Sequence, residues 1–398
     1  MKIVIISNLY PPYVRGGAEI IVNKLAEGLR DNVHNVVVVS TQPFNGWSSF
    51  NAQVDHVNNL KVYRFFPWNL YYYTNDFAHG IFFRAIWHFF DIFNLHSYTV
   101  VRSILKREKP DVVITHNLMG LGFLTPLLLR RLGIRHIHTL HDVQLYAPSG
   151  LIIKGKENNL TQKVVNALGY PRLMKALFGS PEIIISPTKF LAEFYQQRGY
   201  FPQSKLLILP NPADQPESPL GVSSDGNLRL LYLGQIHSGK GILQLIEVIK
   251  DSKLTNVKLR IVGLGPDLRK ALDLAQGDDR ITFYGWRNRS DILDILSQTD
   301  VLVLPSICYE NSPTVILEAL SYGLPVITSD IGGAGELITE GINGWKFEPG
   351  NWKQLGGIIT KLSEDPTKLA AMADACRVSV RNHTVRQYID RLMTALEK

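Results

Sequence analysis

The sequence predicts an α/β protein built from two doubly wound parallel-sheet domains. Three observations predict it. Short β-branched runs alternate with stretches of helical period along most of the 398 residues. A Pro-, Ser- and Gly-rich segment breaks the alternation between 210 and 227, after which it restarts. From about residue 351 the chain is helical in pattern and carries no strand signal.

Taken in order, residues 3–7, 36–40, 61–65, 112–116, 136–140, 183–186 and 206–209 read as strands. Their continuous apolar character is that of parallel strands covered on both faces. Helical periodicity fills most of the gaps, as at 18–30 and 118–132. After the break, strands are expected at 228–233, 258–262, 281–284, 301–305 and 326–329. Residues 1–212 are thus expected to form a Rossmann-like domain and 213–227 a linker. Residues 228–380 would form a second Rossmann-like domain, and 381–398 a C-terminal helix able to pack back on the first. Ligands of such sheets bind beyond the carboxyl ends of the strands, so a cleft across which the two domains face is the expected site.

Composition narrows the function classes. Apolar residues make up 45% and charged residues 19%, which excludes disorder as a description of the whole chain. Cys308 and Cys376 stand far apart and fit neither a disulfide framework nor a zinc spacing. The apolar run at the start is four residues long and Pro11 and Pro12 follow, so no signal peptide is expected. The longest apolar stretch, residues 119–129, is far shorter than a membrane span. A cytoplasmic protein is expected, with a position on the inner face of the membrane still open. The net charge of +7 is uneven. Residues 1–198 hold 21 Lys and Arg against 12 Asp and Glu, whereas the second half is slightly acidic. The basic half is expected to meet an anionic partner.

One segment departs from the rest. Residues 63–98 contain 15 of the 39 aromatic residues and four charged ones. The stretch 81–90 is apolar nearly all round. It reads either as a helix buried beneath the sheet or as an aromatic interface, an acceptor groove or a membrane-dipping surface. Residues 151–179, with five Lys and Arg against Glu157, read either as a solvated basic face or as a second anionic-surface candidate.

The strongest chemical signal follows the strand at 301–305. Glu310 and Glu318 are eight positions apart, and Ser312 and Pro313 mark a helix start between them. The first carboxylate would lie in the strand-end loop and the second on the helix's first turns. The exposed N–H groups of the helix start would suit an anion. Residues 234–241, Gly-Gln-Ile-His-Ser-Gly-Lys-Gly, form another strand-end loop, in which Lys240 supplies a point charge for phosphate. In the first half, Gly16 and Gly17 form a glycine loop after the first strand that could offer N–H groups to a diphosphate. Gly263 and Gly265 have dinucleotide spacing but lack a third glycine, and read as a strand-to-helix turn.

With these motifs the sequence resembles the retaining glycosyltransferases of family 4, also called glycosyl transferases group 1, which have the GT-B fold. The resemblance spans essentially the whole chain. It is carried by Gly16-Gly17, Leu140-His141-Asp142, Gly234 with Lys240-Gly241, Glu310 with Glu318-Ala319, residues 323–327 and residues 343–345. It implies that Glu318 binds ribose hydroxyls of a nucleoside diphosphate and that Glu310 contacts the donor sugar. Lys240 would neutralise the diphosphate with N–H groups at Gly17 and at the helix start around Pro313, Thr314 and Val315. His141 would lie near the reacting centre, while His116 reads as packing. The turn Gly285-Trp286-Arg287 resembles the base-binding turn of the family. Glu310, Lys240 and His141 are thus the expected catalytic residues.

One position departs from the family pattern. Gln235 stands where an arginine often pairs with the diphosphate, so a compensating cation is expected from Arg15, Arg287 or Arg289. No Asp-x-Asp occurs, so neither a metal nor another cofactor is expected, the nucleotide sugar being a co-substrate. The expected activity is metal-independent hexosyl transfer from a nucleotide sugar, with uridine as the favoured base. The acceptor would be a glycan or lipid-linked glycan, in surface polysaccharide or glycolipid synthesis. A nucleotide-sugar epimerase, a sugar phosphorylase or an inactive binding subunit would suit the same architecture. Nucleic acid is not an expected partner, because two cleft-facing glutamates accompany the basic residues and no recognition motif occurs.

Overall fold

The computed structural model describes residues 1–214, 216 and 226–397, with backbone alone for Asp76, Phe77, Ala78 and Ile81. Most of the expected linker, 213–227, lies outside the described residues. The chain divides into two compact units. The first holds Met1–Leu151, Asn158–Pro212 and Val385–Lys398, and the second Ile152–Glu157 and Ala213–Thr384. The last helix belongs to the first unit, and a six-residue stretch of the N-terminal half, 152–157, belongs to the second.

In the first unit the strands are β1 (Lys2–Ile6), β2 (Asn35–Thr41), β3 (Gln53–Val57), β4 (Leu60–Phe65), β5 (Val112–Thr115), β6 (Arg135–Thr139), β7 (Ile183–Ser186) and β8 (Lys205–Ile208). They form a sheet of order β3-β4-β2-β1-β5-β6-β7-β8. All neighbours are parallel except β3, which runs antiparallel to β4. Residues Ile3, Val4, Ile5 and Ile6 are all fully buried, so both faces of β1 are covered. The helix Gly17–Asp31 buries Ile21, Val22, Leu25, Ala26 and Leu29 at helical spacing. The helix Val385–Glu397 adds Tyr388, Ile389, Leu392 and Leu396 to the same core. Its last turn is fastened by Arg135, whose guanidinium donates to the Leu396 carbonyl at 2.9 Å.

The second unit contains β9 (Leu228–Leu233), β10 (Val257–Val262), β11 (Ile281–Gly285), β12 (Val301–Leu304), β13 (Val326–Ser329) and β14 (Gly344–Phe347). Their order is β11-β10-β9-β12-β13-β14, and all are parallel. The order reverses between β9 and β12, as it does between β1 and β5 in the first sheet. Loops leaving two strands on either side of such a reversal splay apart and open a crevice at the strand ends.

The α/β class with two parallel-sheet domains and C-terminal helices is as expected. Three local expectations need correction. The strand β3 was not anticipated, although Asn58 and Asn59 (φ +48° and +62°) form the two-residue type of turn that joins paired strands. The strand β14 is four residues long and Gly-led, too short to show a period. Residues 118–124 are not helical. The helix is Thr125–Leu132, and Gly120 and Gly122 adopt positive φ ahead of it.

Candidate active site

The loops after β9 and β12 meet at the reversal in the second unit. After β9, His237 Nδ1 accepts from the Gly239 N–H at 3.0 Å, and Asp267 Oδ2 accepts from the Ser238 N–H at 2.7 Å. These bonds shape a short 3-10 turn, Ser238–Lys240. The Gly239 carbonyl then accepts from the Ile307 and Cys308 N–H groups of the loop after β12. Gly241 permits the approach: its φ is +71°, and a Cβ there would lie 1.9 Å from the Pro305 carbonyl oxygen. Gly263 and Gly265 press equally closely on the 234–236 backbone, so their spacing serves loop packing.

The laced loops bring Lys240 and Glu310 together, Nζ to Oε1 at 2.6 Å, with both side chains largely buried. Burial works against the Lys240 ammonium. The Glu310 carboxylate outweighs it, by charge and hydrogen bond, and holds the lysine above its ordinary pKa. The Glu310 backbone is fixed from the other side, where its carbonyl accepts from the Gly333 N–H at 2.7 Å. Gly332 has φ +58°, and a Cβ there would sit 2.3 Å from the same oxygen. The stretch from the N-terminal half completes the support. Lys154 N–H donates to the Ile307 carbonyl, Tyr309 N–H to that of Ile152, and the Tyr309 hydroxyl to Glu157 at 2.8 Å. No local sequence signal announces this strap.

Glu318 lies on the helix Thr314–Ser321, whose N-cap residue, Pro313, supplies no side-chain cap. Pro313 has no N–H and the Ile316 N–H already donates to the Pro313 carbonyl, so the donors at this helix start belong to Thr314 and Val315. Glu318 Oε1 accepts from Arg289 at 2.8 Å, and Arg289 also pairs with Asp214. Of the three arginines considered as compensating cations, Arg289 is thus bound to the expected ribose carboxylate. Arg287 lies over the Tyr284 ring and Arg15 over the Tyr73 ring. Gln235 is exposed, while its carbonyl accepts from the Tyr232 hydroxyl at 2.6 Å. The turn after β11 has Gly285 at φ +67° and Trp286 70% exposed, an open aromatic face.

In the first unit, Gly16 is the N-cap of the helix Gly17–Asp31, and its N–H donates to Glu19 Oε2 at 2.8 Å. Glu19 therefore already uses one donor of this helix start. His141, after β6, shares a proton with His116, after β5: Nε2 and Nδ1 are 2.9 Å apart. Both rings are neutral. Burial pushes His141 down to about 4, and burial followed by the neighbouring His141 and His138 pushes His116 well below its ordinary value. Thr115 Oγ1 links His136 and His138 at 2.7 and 2.8 Å. Beside them, burial pushes the Asp142 carboxyl up to about 6 despite the Gln144 N–H it accepts. His116, His138, His141 and Asp142 line a cavity of about 10 Å³, room for one water and not for a sugar ring.

A fixed lysine–glutamate pair and a helix start stand at the reversal of a parallel sheet, the arrangement of an α/β protein with an anion-binding candidate at its strand ends. Family comparisons place it further. The family described as Glycosyl transferases group 1 matches residues 219–378, and the Glycosyl transferase 4-like domain matches residues 16–212. The chain belongs to these family 4, group 1 glycosyltransferases. It is 27% identical to an uncharacterised glycosyltransferase of Methanocaldococcus jannaschii, covering 92% of this chain and 90% of that protein. It is 28% identical to the lipopolysaccharide 1,6-galactosyltransferase of Escherichia coli, over 41% and 46% of the two chains. The structure of Anabaena HepE in complex with UDP-glucose superposes with a TM-score of 0.70 at 18% identity, covering 100% and 99% of the chains. That likeness shows the GT-B fold.

Proposed function

We propose that this glycosyltransferase moves a hexose from a uridine diphosphate sugar to a glycan or lipid-linked glycan, with retention, in bacterial surface polysaccharide or glycolipid synthesis. The observation that carries this reading is the Lys240–Glu310 pair held beside the helix start at Thr314. In this reading the donor diphosphate lies on Lys240 and the helix-start N–H groups, with Glu318 on the ribose and the turn 285–287 on the base. The remaining donor contacts are assigned to Gly16, Gly17 and Gln235, with the Gly16 N–H first released from Glu19. The C1–oxygen bond breaks toward the diphosphate, whose growing charge Lys240 stabilises. The acceptor hydroxyl attacks C1 on the same face, and its proton passes to the departing phosphate oxygen. Glu310 orients Lys240 and the sugar, and neutral His141 offers a hydrogen bond without charge. The chemistry is assigned to side chains and backbone alone, without metal or cofactor. The basic N-terminal unit holds the acceptor at an anionic membrane surface on the cytoplasmic side.

The nucleotides in the HepE structure and the galactosyltransferase among the relatives support the donor and pathway assignments. Purified protein incubated with a panel of nucleotide sugars, with and without a chelator, tests the reading. Transfer from a UDP-sugar, unaffected by chelation and giving a retained anomeric linkage by NMR, is the expected result. An inverted linkage, or phosphate-dependent cleavage of an oligosaccharide, would overturn it.

A further inference from the structure

The helix Ile81–Ile92 is turned inside out relative to an ordinary surface helix. Its inward residues include Trp87 and Asp91, 1% and 0% exposed. Both are fastened by polar contacts: the Trp87 indole donates to the Tyr71 carbonyl at 2.8 Å, and Asp91 Oδ2 accepts from the Gly120 N–H at 2.9 Å. Its outward residues are Phe82, Phe83, Phe89 and Phe90, followed by Phe93, each between 42% and 70% exposed. Of the two readings of this stretch, the helix buried beneath the sheet is set aside, and an exposed aromatic face is what the structure presents. The next helix, Leu95–Glu108, begins with Leu95, also 70% exposed.

Charge along the two helices is sorted in the same sense. Between 81 and 109 the acids are Asp91 and Glu108, and both are buried, Glu108 beneath Lys2, Lys61 and the Tyr63 hydroxyl. The charges left exposed are Arg102, Lys106, Arg107 and Lys109. The stretch 81–109 thus shows phenylalanine first and then cations, and the first exposed acid after it is Asp111.

We propose that these two helices form a docking face for an anionic lipid surface. The inference deepens the membrane part of the proposed function and rests on it for its purpose alone. Twelve residues of helix span about 18 Å, short of a ~30 Å hydrocarbon core, so the helix lies in the interface with its phenylalanines directed into the acyl boundary. The cations add attraction for acidic headgroups. A second copy is the poorer occupant, because apposing two such faces brings the same cations together.

Co-sedimentation of the full chain with phosphatidylcholine vesicles, with and without phosphatidylglycerol, tests this. Binding is expected to require phosphatidylglycerol and to weaken with salt. Phe82→Ser/Phe89→Ser and Phe90→Ser/Phe93→Ser should each lower partitioning about tenfold or more. Arg102→Glu/Lys106→Glu should lower it by a similar factor at low salt. All three variants should keep the wild-type melting temperature and UDP affinity, since the altered side chains are exposed and outside the donor site. Vesicle binding unchanged by the phenylalanine substitutions would overturn the proposal. So would a wild-type chain that transfers sugar yet ignores vesicles, or a dimer that the same substitutions dissociate. UDP binding in the same preparations reports on the donor site separately, so loss of one reading does not carry the other with it.

Discussion

Lys240 Nζ and Glu310 Oε1 stand 2.6 Å apart, on loops that leave β9 and β12 on either side of the sheet reversal. Neither charge is well hydrated, so each depends on the other. Removing one leaves its partner buried and unpaired, at a cost of about 3 kcal/mol, more than the pair itself contributes. Lys240→Met and Glu310→Gln should therefore each lower the melting temperature and reduce turnover by about 100-fold or more. The double variant should melt higher than the sum of the single effects predicts, because no unpaired charge remains. Thermal melts and transfer rates on the four proteins of the cycle check this. Strict additivity would mean that the two side chains act independently.

Arg289 holds the carboxylate expected to meet ribose. Its bond to Glu318 Oε1 fixes one carboxylate oxygen before any nucleotide arrives, whereas its contact with Asp214 is between half-exposed groups. Arg289→Gln should weaken UDP binding by roughly five- to tenfold, about 1 kcal/mol. Asp214→Asn should change it by less than about twofold, as expected for an exposed ion pair. Calorimetric titration with UDP distinguishes the two. Equal effects would place the two carboxylates in one shared role.

Strands buried on both faces leave continuous apolar runs, so most of both sheets could be read from sequence. The paired glutamates and the lysine loop were legible because strand ends and a proline-led helix start fix where they fall. Other features have no local trace. The strap at 152–157 joins the unit of Glu310 through two backbone bonds that any sequence could make and one side-chain bond, Tyr309 to Glu157, between residues 152 positions apart. That Arg289, and not Arg15 or Arg287, pairs with Glu318 depends on where a turn points. In the stretch 81–93, apolar residues surround the helix almost completely, so no period could tell that Asp91 faces in and the phenylalanines out. The His116–His141 bond joins two residues that sequence reading assigned to different roles.

The histidines make a prediction about pH. Burial lowers both rings, His141 to about 4, which favours the neutral form near pH 6.5. Protonation of His141 should not shape the rate near pH 6.5. Asp142 is pushed the other way, to about 6, and changes charge there. An inflection in the rate near pH 6 should therefore persist in His141→Gln, at lower overall activity, and vanish in Asp142→Asn. The reverse pattern would mean that the imidazole keeps an ordinary pKa and is open to water.

Asp91 is the clearest case of a side chain that weakens the fold as pH rises. It is wholly buried, Oδ2 is held by the Gly120 N–H, and Oδ1 has no hydrogen-bond partner among the described residues. Burial pushes its pKa from the ordinary 3.8 up to about 8. Below pH 4 the folded and unfolded chains both hold the proton, and the residue adds no pH-dependent penalty. Between about 4 and 8 the unfolded chain releases the proton and the folded chain keeps it, so the penalty grows and then levels off. Asp91→Asn retains an acceptor for Gly120 and cannot ionise. It should melt close to wild type at pH 4 and higher at pH 8, the difference being on the order of a few kcal/mol in stability. Melting curves of both proteins from pH 4 to 8 test this. A constant offset would show that the carboxyl gains a charge partner or water in solution.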